Sequence, residues 1–294
     1  MNGIINFFKP RGMTSHDAVS FFRKLLGIKK IGHSGTLDPN ATGVLPICIG
    51  KATRVSEYFN EMDKEYIGEL TLGIRTDTQD MDGKVIDTSH SKVTEKEIIN
   101  SFHSFEGEIT QIPPMYSAVR HKGKKLYELA REGKIVERES RNIHIKELKI
   151  LNNYNNEEII FYTKCSKGTY IRTLCNDIGE DLQTHGFMSY LIRVGVGDFK
   201  IEDSYGKEYL NSLNKNEVKK LLKPMDFALT HLDEMIVQDR LYNQLINGAK
   251  IPLDKSNYIE NKRYRVYCLD KFIGIARIIT KDNNPLLKMD KMLA

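Results

Sequence analysis

The sequence has 294 residues, of which 40% are hydrophobic and 28% are charged. This balance predicts a folded protein and excludes a disordered one, since enough apolar side chain is present to form a core. Lys and Arg (44) exceed Asp and Glu (39), and the net charge of +5 favours, without requiring, a polyanionic partner. The apolar start is interrupted by polar residues and Lys9-Pro10, so we expect neither a signal peptide nor a membrane span. Four cysteines without C-x-x-C spacing fit a reducing, cytoplasmic location.

The first predicted elements are a strand over residues 4–8 and a helix that begins after Thr14. Thr14 and Asp17 are typical helix-capping residues, and apolar residues recur at helical spacing over 18–26. Gly27 stands where a left-handed C-terminal cap is expected. A polar loop rich in glycine then leads into a buried strand over 44–49.

A hairpin with a long polar tip is predicted next, because residues 66–72 alternate, 75–83 are turn-rich and 85–86 are apolar again. Thr94 and Glu97 form a capping box for a helix that runs to about residue 105. The remaining signals predict strands at 142–151, 159–165 and 190–196 and a helix over about 169–182. This mixture predicts an α+β fold.

A small β-rich domain is predicted at the C-terminal end, where short apolar stretches alternate with turn signals from about residue 236. We place the domain boundary so that residues 1–231 form the larger domain and 232–294 the smaller.

Several common chemistries lack sequence support. Gly195 and Gly197 begin a dinucleotide fingerprint, but Lys200 holds the third glycine position. Lys51 is followed by Ala52 instead of the Ser or Thr of a phosphate-binding loop, and the eight histidines lack metal-ligand spacing. We therefore expect neither an organic cofactor nor a metal.

The most informative segment is GHSGTLDPNATGVLP at residues 32–46, which has Asp38 at its centre. Pro39 restricts Asp38 to extended backbone conformations, and the glycines let the backbone approach a ligand closely. Taken alone, Asp-Pro-Asn would be interpreted as a turn in which Asp makes a local hydrogen bond.

The whole segment resembles the catalytic motif of the TruB family, the bacterial tRNA pseudouridine-55 synthases. KPRGMTS at 9–15 resembles the first motif of that family. Further agreement, in the same chain order, comes from DKEY at 63–66 with RTDT at 75–78, QIPPMYSA at 111–118 and KGTYIRT at 167–173. The resemblance is good over residues 4–200 and weak in the C-terminal part, and Ser34 stands where many relatives have Thr.

The resemblance implies a pseudouridine synthase fold, with a mixed, mainly antiparallel central sheet flanked by helices and a small PUA-like C-terminal domain. It implies that the protein isomerises uridine 55 in the T-loop of tRNA, with Asp38 as catalytic nucleophile. Whether Asp38 adds to carbon 6 of the ring or assists loss of the base from the sugar stays open. Arg172 is the implied cation that keeps this carboxylate ionised.

Four residues are implied to bind the substrate. Tyr66 would stack on the target uracil, and His33 would lie near the RNA backbone or the displaced base. Tyr170 and Leu191 would line the pocket. The expected partner is the T-arm of tRNA, with no obligate protein partner, and we expect a monomer.

Other residues are weaker candidates for RNA contact. Lys9, Asp77 and the basic run 120–125 could contact tRNA or support the fold. In the C-terminal region, the candidate phosphate contacts are Lys250, Lys262, Arg263 and Arg265.

Two alternatives from other classes remain. A non-catalytic RNA-binding protein or RNA chaperone would use the basic clusters while Asp38 is only structural. A hydrolase with an Asp nucleophile would need a second carboxylate, and the sequence shows none close to Asp38.

Overall fold

A computed structural model describes residues 1–59, 61–253 and 259–294. The α-helices are α1 Ser15–Leu26, α2 Ser56–Phe59, α3 Glu95–Ser104, α4 Leu126–Arg131, α5 Ile171–Asp181, α6 Lys207–Ser212, α7 Lys215–Lys220 and α8 Tyr242–Ile246. The strands before α5 are β1 Gly3–Lys9, β2 Ile31–His33, β3 Thr42–Ile49, β4 Lys64–Leu72, β5 Ile74–Thr76, β6 Val85–Thr88, β7 Gly107–Gln111, β8 Arg120–His121, β9 Lys124–Lys125, β10 Arg141–Tyr154 and β11 Glu158–Cys165. The strands after α5 are β12 Gly186–Val196, β13 Phe199–Lys200, β14 Asp233–Ile236, β15 Ile251–Pro252, β16 Arg263–Cys268, β17 Lys271–Lys281 and β18 Asn284–Met292.

The large sheet has the strand order β1-β3-β12-β4-β11-β10-β7, with β2 added beside β3 and β13 beside β12. Its pairings are antiparallel except that β12 runs parallel to β3. Helix α1 packs on β1 and β3 through Phe22, whose ring meets Phe7 edge-on with centroids 5.2 Å apart. Helices α3 and α5 cover the half formed by β4, β11 and β10. The predicted mixed, mainly antiparallel sheet with flanking helices is confirmed.

The predicted helix ends are observed where local chemistry specifies them. Thr14 and Asp17 form a reciprocal capping box at α1, and Thr94 and Glu97 do the same at α3. Gly27 ends α1 with a φ of 66°, a left-handed conformation that glycine adopts without strain.

The predicted hairpin with a polar tip is present, but its first strand is β5 and not residues 66–72. Strand β6 pairs with the short β5, and the two form a separate two-stranded sheet instead of extending β4. The apolar side chains of Val85 and Ile86 are exposed, so their hydrophobicity does not indicate a buried strand.

The C-terminal sheet has the order β14-β16-β17-β18-β15. It shares a hydrophobic core with the large sheet, because Ile275 and Leu293 pack into the same cluster as Val44 of β3, Phe59 of α2 and Val196 of β12. A domain boundary between residues 231 and 232 stays a prediction; strand β14 begins at Asp233. No helix in the described ranges is long and apolar enough to cross a lipid bilayer.

Candidate active site

A large cleft lies between the loop that precedes β3 and the start of α5, with a volume of about 1370 Å³. Its walls include backbone and side chains of residues 35–41, 166–172 and 188–191. Asp38, Tyr66, Tyr170, Arg172 and Leu191 all line it. Segments far apart in the sequence therefore meet in one cavity.

Asp38 and Arg172 form an ion pair in this cleft. Nε of Arg172 lies 3.1 Å from Oδ2 of Asp38. The Arg172 side chain is only 7% exposed, whereas that of Asp38 is 41% exposed. The carboxylate is thus open to a bound molecule while its cationic partner is held inside the protein.

The guanidinium of Arg172 is fixed by further contacts. It donates hydrogen bonds to the carbonyl oxygens of Thr78 at 3.3 Å and Tyr116 at 2.9 Å. Its Nη1 also lies 3.4 Å from Oδ2 of Asp80, whose pKa is raised by burial and partly lowered again by Arg172. Arg172 therefore has one defined position between two carboxylates.

Sequence reasoning missed Asp80. The argument against a hydrolase rested on the lack of a second carboxylate close to Asp38 in the sequence, yet Asp80 contacts the other side of Arg172. The signal was present, because Asp80 follows the RTDT motif, but the stretch was interpreted only as the tip of a hairpin.

The backbone around Asp38 is anchored by side chains from the first motif. Ser15 donates to the Leu37 carbonyl at 3.0 Å and accepts from the Leu37 N–H at 2.9 Å. Lys9 Nζ donates to the carbonyls of Pro10, Met13 and Pro39, at 3.0, 2.6 and 3.1 Å. Because Lys9 is fully buried, it supports the fold and does not reach a phosphate.

Tyr66 and Leu191 lie side by side on neighbouring strands of the cleft floor. Tyr66 is buried on β4, and Leu191 is buried on β12, opposite Gly68. Burial raises the pKa of Tyr66 to about 12, so its phenol is neutral near pH 7. The two side chains form an apolar surface close to Asp38.

Tyr170 occupies the position just before α5, and its backbone is held from both sides by Gln111. The Gln111 side chain donates to the Tyr170 carbonyl at 3.0 Å and accepts from its N–H at 2.8 Å. Gln111 is itself buried, so the QIPPMYSA motif positions the motif that carries Arg172.

His33 is not placed in the cleft. It ends β2 opposite Ile47, and the cleft lining near it begins at Gly35. Burial lowers the pKa of His33, and its Nδ1 has no hydrogen-bond partner among the described residues.

The other weak candidates divide between fold support and the cleft rim. Asp77 accepts a hydrogen bond from the Lys84 N–H at 2.8 Å, which stabilises the β5–β6 turn. In the basic run 120–125, Lys125 lies 5.3 Å from the ring centre of Tyr127, a residue of the cleft wall. Within the described parts of the chain, no group of three or more His, Cys, Asp or Glu side chains is arranged to hold a metal ion.

Comparison with known proteins agrees with this geometry. Residues 23–171 match the family model "TruB family pseudouridylate synthase (N terminal domain)", and residues 172–230 match "tRNA pseudouridylate synthase B C-terminal domain". A tRNA pseudouridine synthase B of Alkaliphilus oremlandii is 46% identical, over 97% of this chain and 95% of that protein. Another, of Clostridioides difficile, is 42% identical over 99% of both.

A solved structure shows the same architecture. A chain in the crystal structure of a Cbf5-Nop10-Gar1 complex superposes with a TM-score of 0.79 at 26% identity, covering 99% of this chain and 85% of that one. Sequence and structure thus agree over almost the whole chain. The chain belongs to the TruB family of pseudouridylate synthases.

Proposed function

We propose that this pseudouridine synthase converts uridine 55 in the T-loop of tRNA, with Asp38 as the catalytic nucleophile. The observation that carries the proposal is the 3.1 Å contact between the partly exposed Asp38 carboxylate and the buried Arg172. The tRNA substrate is supported by relatives at 42 to 46% identity that are called tRNA pseudouridine synthase B.

The reaction breaks the bond between the ribose and N1 of uracil, turns the base, and joins the ribose to carbon 5. Carbon 5 loses a proton and N1 gains one, so the reaction is an isomerisation. Asp38 either adds to carbon 6 of the ring or attacks at the sugar as the base leaves. In both routes its anion must persist when the bound RNA excludes water from the cleft, and Arg172 stabilises that anion electrostatically.

Tyr66 is proposed to hold the extruded base. A base stacked on an aromatic ring gains about 1 to 3 kcal/mol, which offsets much of the few kcal/mol needed to extrude it from the RNA. Leu191 and Tyr170 complete the pocket, because both line the same cleft as Tyr66. His33 is proposed to contact the RNA backbone beyond the cleft.

We further propose that the enzyme acts as a cytoplasmic monomer on the tRNA T-arm, without an obligate protein partner. Residues 232–294 would act as a small RNA-binding domain beside the catalytic one. Light scattering of the purified protein, with and without tRNA, tests the monomer, and a second protein copy per tRNA would contradict it.

The test of function is to map pseudouridine in an unmodified tRNA transcript after incubation with the protein. We expect product at position 55, none in a transcript with cytidine there, and none with Asp38→Asn. Glu139→Gln is the matched control, since it neutralises another carboxylate of the same cleft, and it should keep its activity. Turnover by Asp38→Asn above a tenth of wild type would refute Asp38 as the nucleophile, and binding without product would favour a non-catalytic RNA-binding protein.

A further inference from the structure

Arg193 is an unusual buried cation. It lies on β12 next to Leu191, and only 1% of its surface is exposed. No carboxylate among the described residues lies within ion-pairing distance of it. Burying a charge without a counter-ion is costly, so such a residue needs compensating hydrogen bonds.

Those hydrogen bonds go to backbone carbonyls on both sides of Asp38. Nε of Arg193 donates to the Val44 carbonyl at 2.7 Å, where β3 has begun. Its two terminal nitrogens donate at 3.5 Å to the carbonyls of Gly35 and Thr36, which precede Asp38 in the loop. One rigid, planar group therefore ties the loop to the sheet.

The carbonyls of the loop form a continuous series in which each has a donor. Arg193 donates to the carbonyls of residues 35 and 36, and Ser15 donates to the carbonyl of Leu37. The Asp38 carbonyl accepts from the Ala41 N–H, and the Pro39 carbonyl accepts from Lys9 and from the Gly12 N–H. The carbonyls of Gly35 and Thr36 have Arg193 as their donor. Without it, the segment just before Asp38 would lose the side-chain hydrogen bonds that hold its carbonyls.

The position of Arg193 also relates the loop to the base pocket. Arg193 is paired with Tyr66 across the β12–β4 register and with Gly43 across the β12–β3 register. Its charge acts on the Tyr66 phenol, lowering a pKa that burial raises more strongly. The same side chain thus adjoins both the nucleophile's loop and the ring proposed to stack on the base.

We propose that Arg193 is a positioning residue that holds residues 35 and 36, and through them Asp38, in reactive geometry relative to Tyr66. The inference rests on the proposed role of Asp38. Arg193 acts through the backbone and does not contact the substrate. Its removal should lower the rate of the chemical step and leave RNA affinity nearly unchanged, since misplacing a reacting group by about 1 Å can cost about 100-fold in rate.

The experiment uses full-length protein and measures three quantities: the single-turnover rate at saturating tRNA, the tRNA affinity, and the unfolding midpoint. Arg193→Lys keeps the charge but loses the planar fork, and we expect the saturating rate to fall about 30- to 100-fold with affinity within about threefold. Arg193→Ala should be slower still. Added ethylguanidinium should raise the saturating rate of Arg193→Ala by at least about tenfold, whereas added ethylammonium should not. Val218→Ala, a buried change in α7 away from the cleft, controls for lost stability and should keep the wild-type rate.

The outcomes separate the two proposals. A folded Arg193→Lys with a rate within threefold of wild type, or a loss that only follows the unfolded fraction, would overturn the role of Arg193. Failure of Arg193→Lys to fold would also overturn it, because the residue would then serve the fold as a whole. If wild type forms no pseudouridine at position 55, or Asp38→Asn stays active, the proposed function fails instead.

Discussion

Positive side chains make different contacts around the Asp38 loop and in the C-terminal sheet. Around the Asp38 loop, Lys9 and Arg193 are buried and donate hydrogen bonds to backbone carbonyls. In the C-terminal sheet, Lys262, Arg263 and Arg265 lie nearer the surface and pair with carboxylates. Their partners are Asp233, Asp290 and Glu234, respectively.

The difference shows that a count of basic residues overstates the charge available to RNA. The buried cations donate hydrogen bonds to the loop that carries Asp38, and most of the expected C-terminal phosphate contacts are partly neutralised by neighbouring acids. Of the four C-terminal candidates, Lys250 is exposed and has no ion-pair partner within the part of the chain that the structure describes. We therefore expect substitutions of buried cations near the cleft to change the reaction rate through the position of Asp38. We expect substitutions of exposed cations such as Lys250 to change RNA affinity through charge.

The largest expected effect is that of Arg172→Met, because Arg172 is a buried cleft cation that bonds to carbonyls and also pairs with Asp38 and Asp80. The variant removes the cation that stabilises the Asp38 anion, so the saturating single-turnover rate should fall about 100- to 1,000-fold. Arg265→Met in the C-terminal sheet is the control and should leave that rate unchanged. Similar rate losses in both variants would remove the distinction between the two regions.

Leu293→Ala tests whether the C-terminal sheet is a separate unit. Leu293 is buried in the cluster shared with the large sheet, so we expect the free energy of unfolding to fall by about 2 to 5 kcal/mol. Urea unfolding followed by near-UV circular dichroism should show one transition at a lower midpoint, with the saturating rate of folded protein preserved. Two separate transitions would contradict the shared core. Deleting residues 232–294 would expose the same cluster, which makes a truncation a poor test of RNA binding.

Lys9 gives a pH test of the buried cations. Burial lowers the pKa of Lys9 from 10.5 to about 8, so between these pH values the unfolded chain binds this proton and the folded protein does not. The free energy of unfolding should therefore rise from pH 8 to 10.5, by about 1 to 3 kcal/mol relative to Lys9→Met. Denaturant titrations across this range measure the difference. Lys250→Met changes a surface residue and should show the same pH dependence as wild type. If the free energies of unfolding of wild type and Lys9→Met changed in parallel with pH, the lowered pKa of Lys9 would be contradicted.

The smallest expected effect concerns Lys250→Ala. If this exposed side chain meets a phosphate, the slope of log affinity against log salt should flatten by about 0.7 to 0.9, with stability within about 0.5 kcal/mol of wild type. Lys262→Ala is the matched control, since Lys262 is already engaged with Asp233 and should change the slope less. Equal slopes for Lys250→Ala and wild type would remove Lys250 from the interface.

Local chemistry explains which parts of this fold could be predicted. Helix ends at Thr14 and Thr94 depend on side chains three residues away, and a sequence displays such pairs directly. Val85 and Ile86 correctly indicated a strand, but because both lie exposed they did not show that β6 pairs with β5 instead of with residues 66–72. Their pairing with β5 depends on tertiary context.

In the candidate site, too, some residues could be predicted from local motifs, whereas others depend on tertiary context. The motif resemblance supplied Asp38 and Arg172, and the structure brings them into contact. Arg193 was overlooked because one charged residue in an alternating strand is normally assigned to the solvent face. It shares the buried face of β12 with Leu191, and that spacing of two residues was the available signal.

The parallel pairing of β12 with β3 has a consequence for protein synthesis. The hydrogen bond to the Val44 carbonyl can form only after Arg193 has been synthesised, 149 residues further along the chain. At about 5 to 20 residues per second, a ribosome needs roughly 7 to 30 s to make that length. During this interval β1 and β3 can already pair, but the carbonyls of Gly35 and Thr36 remain hydrated. We expect the loop that carries Asp38 to be among the last parts of the nascent enzyme to take its final shape, so that an incomplete chain emerging from the ribosome does not act on RNA.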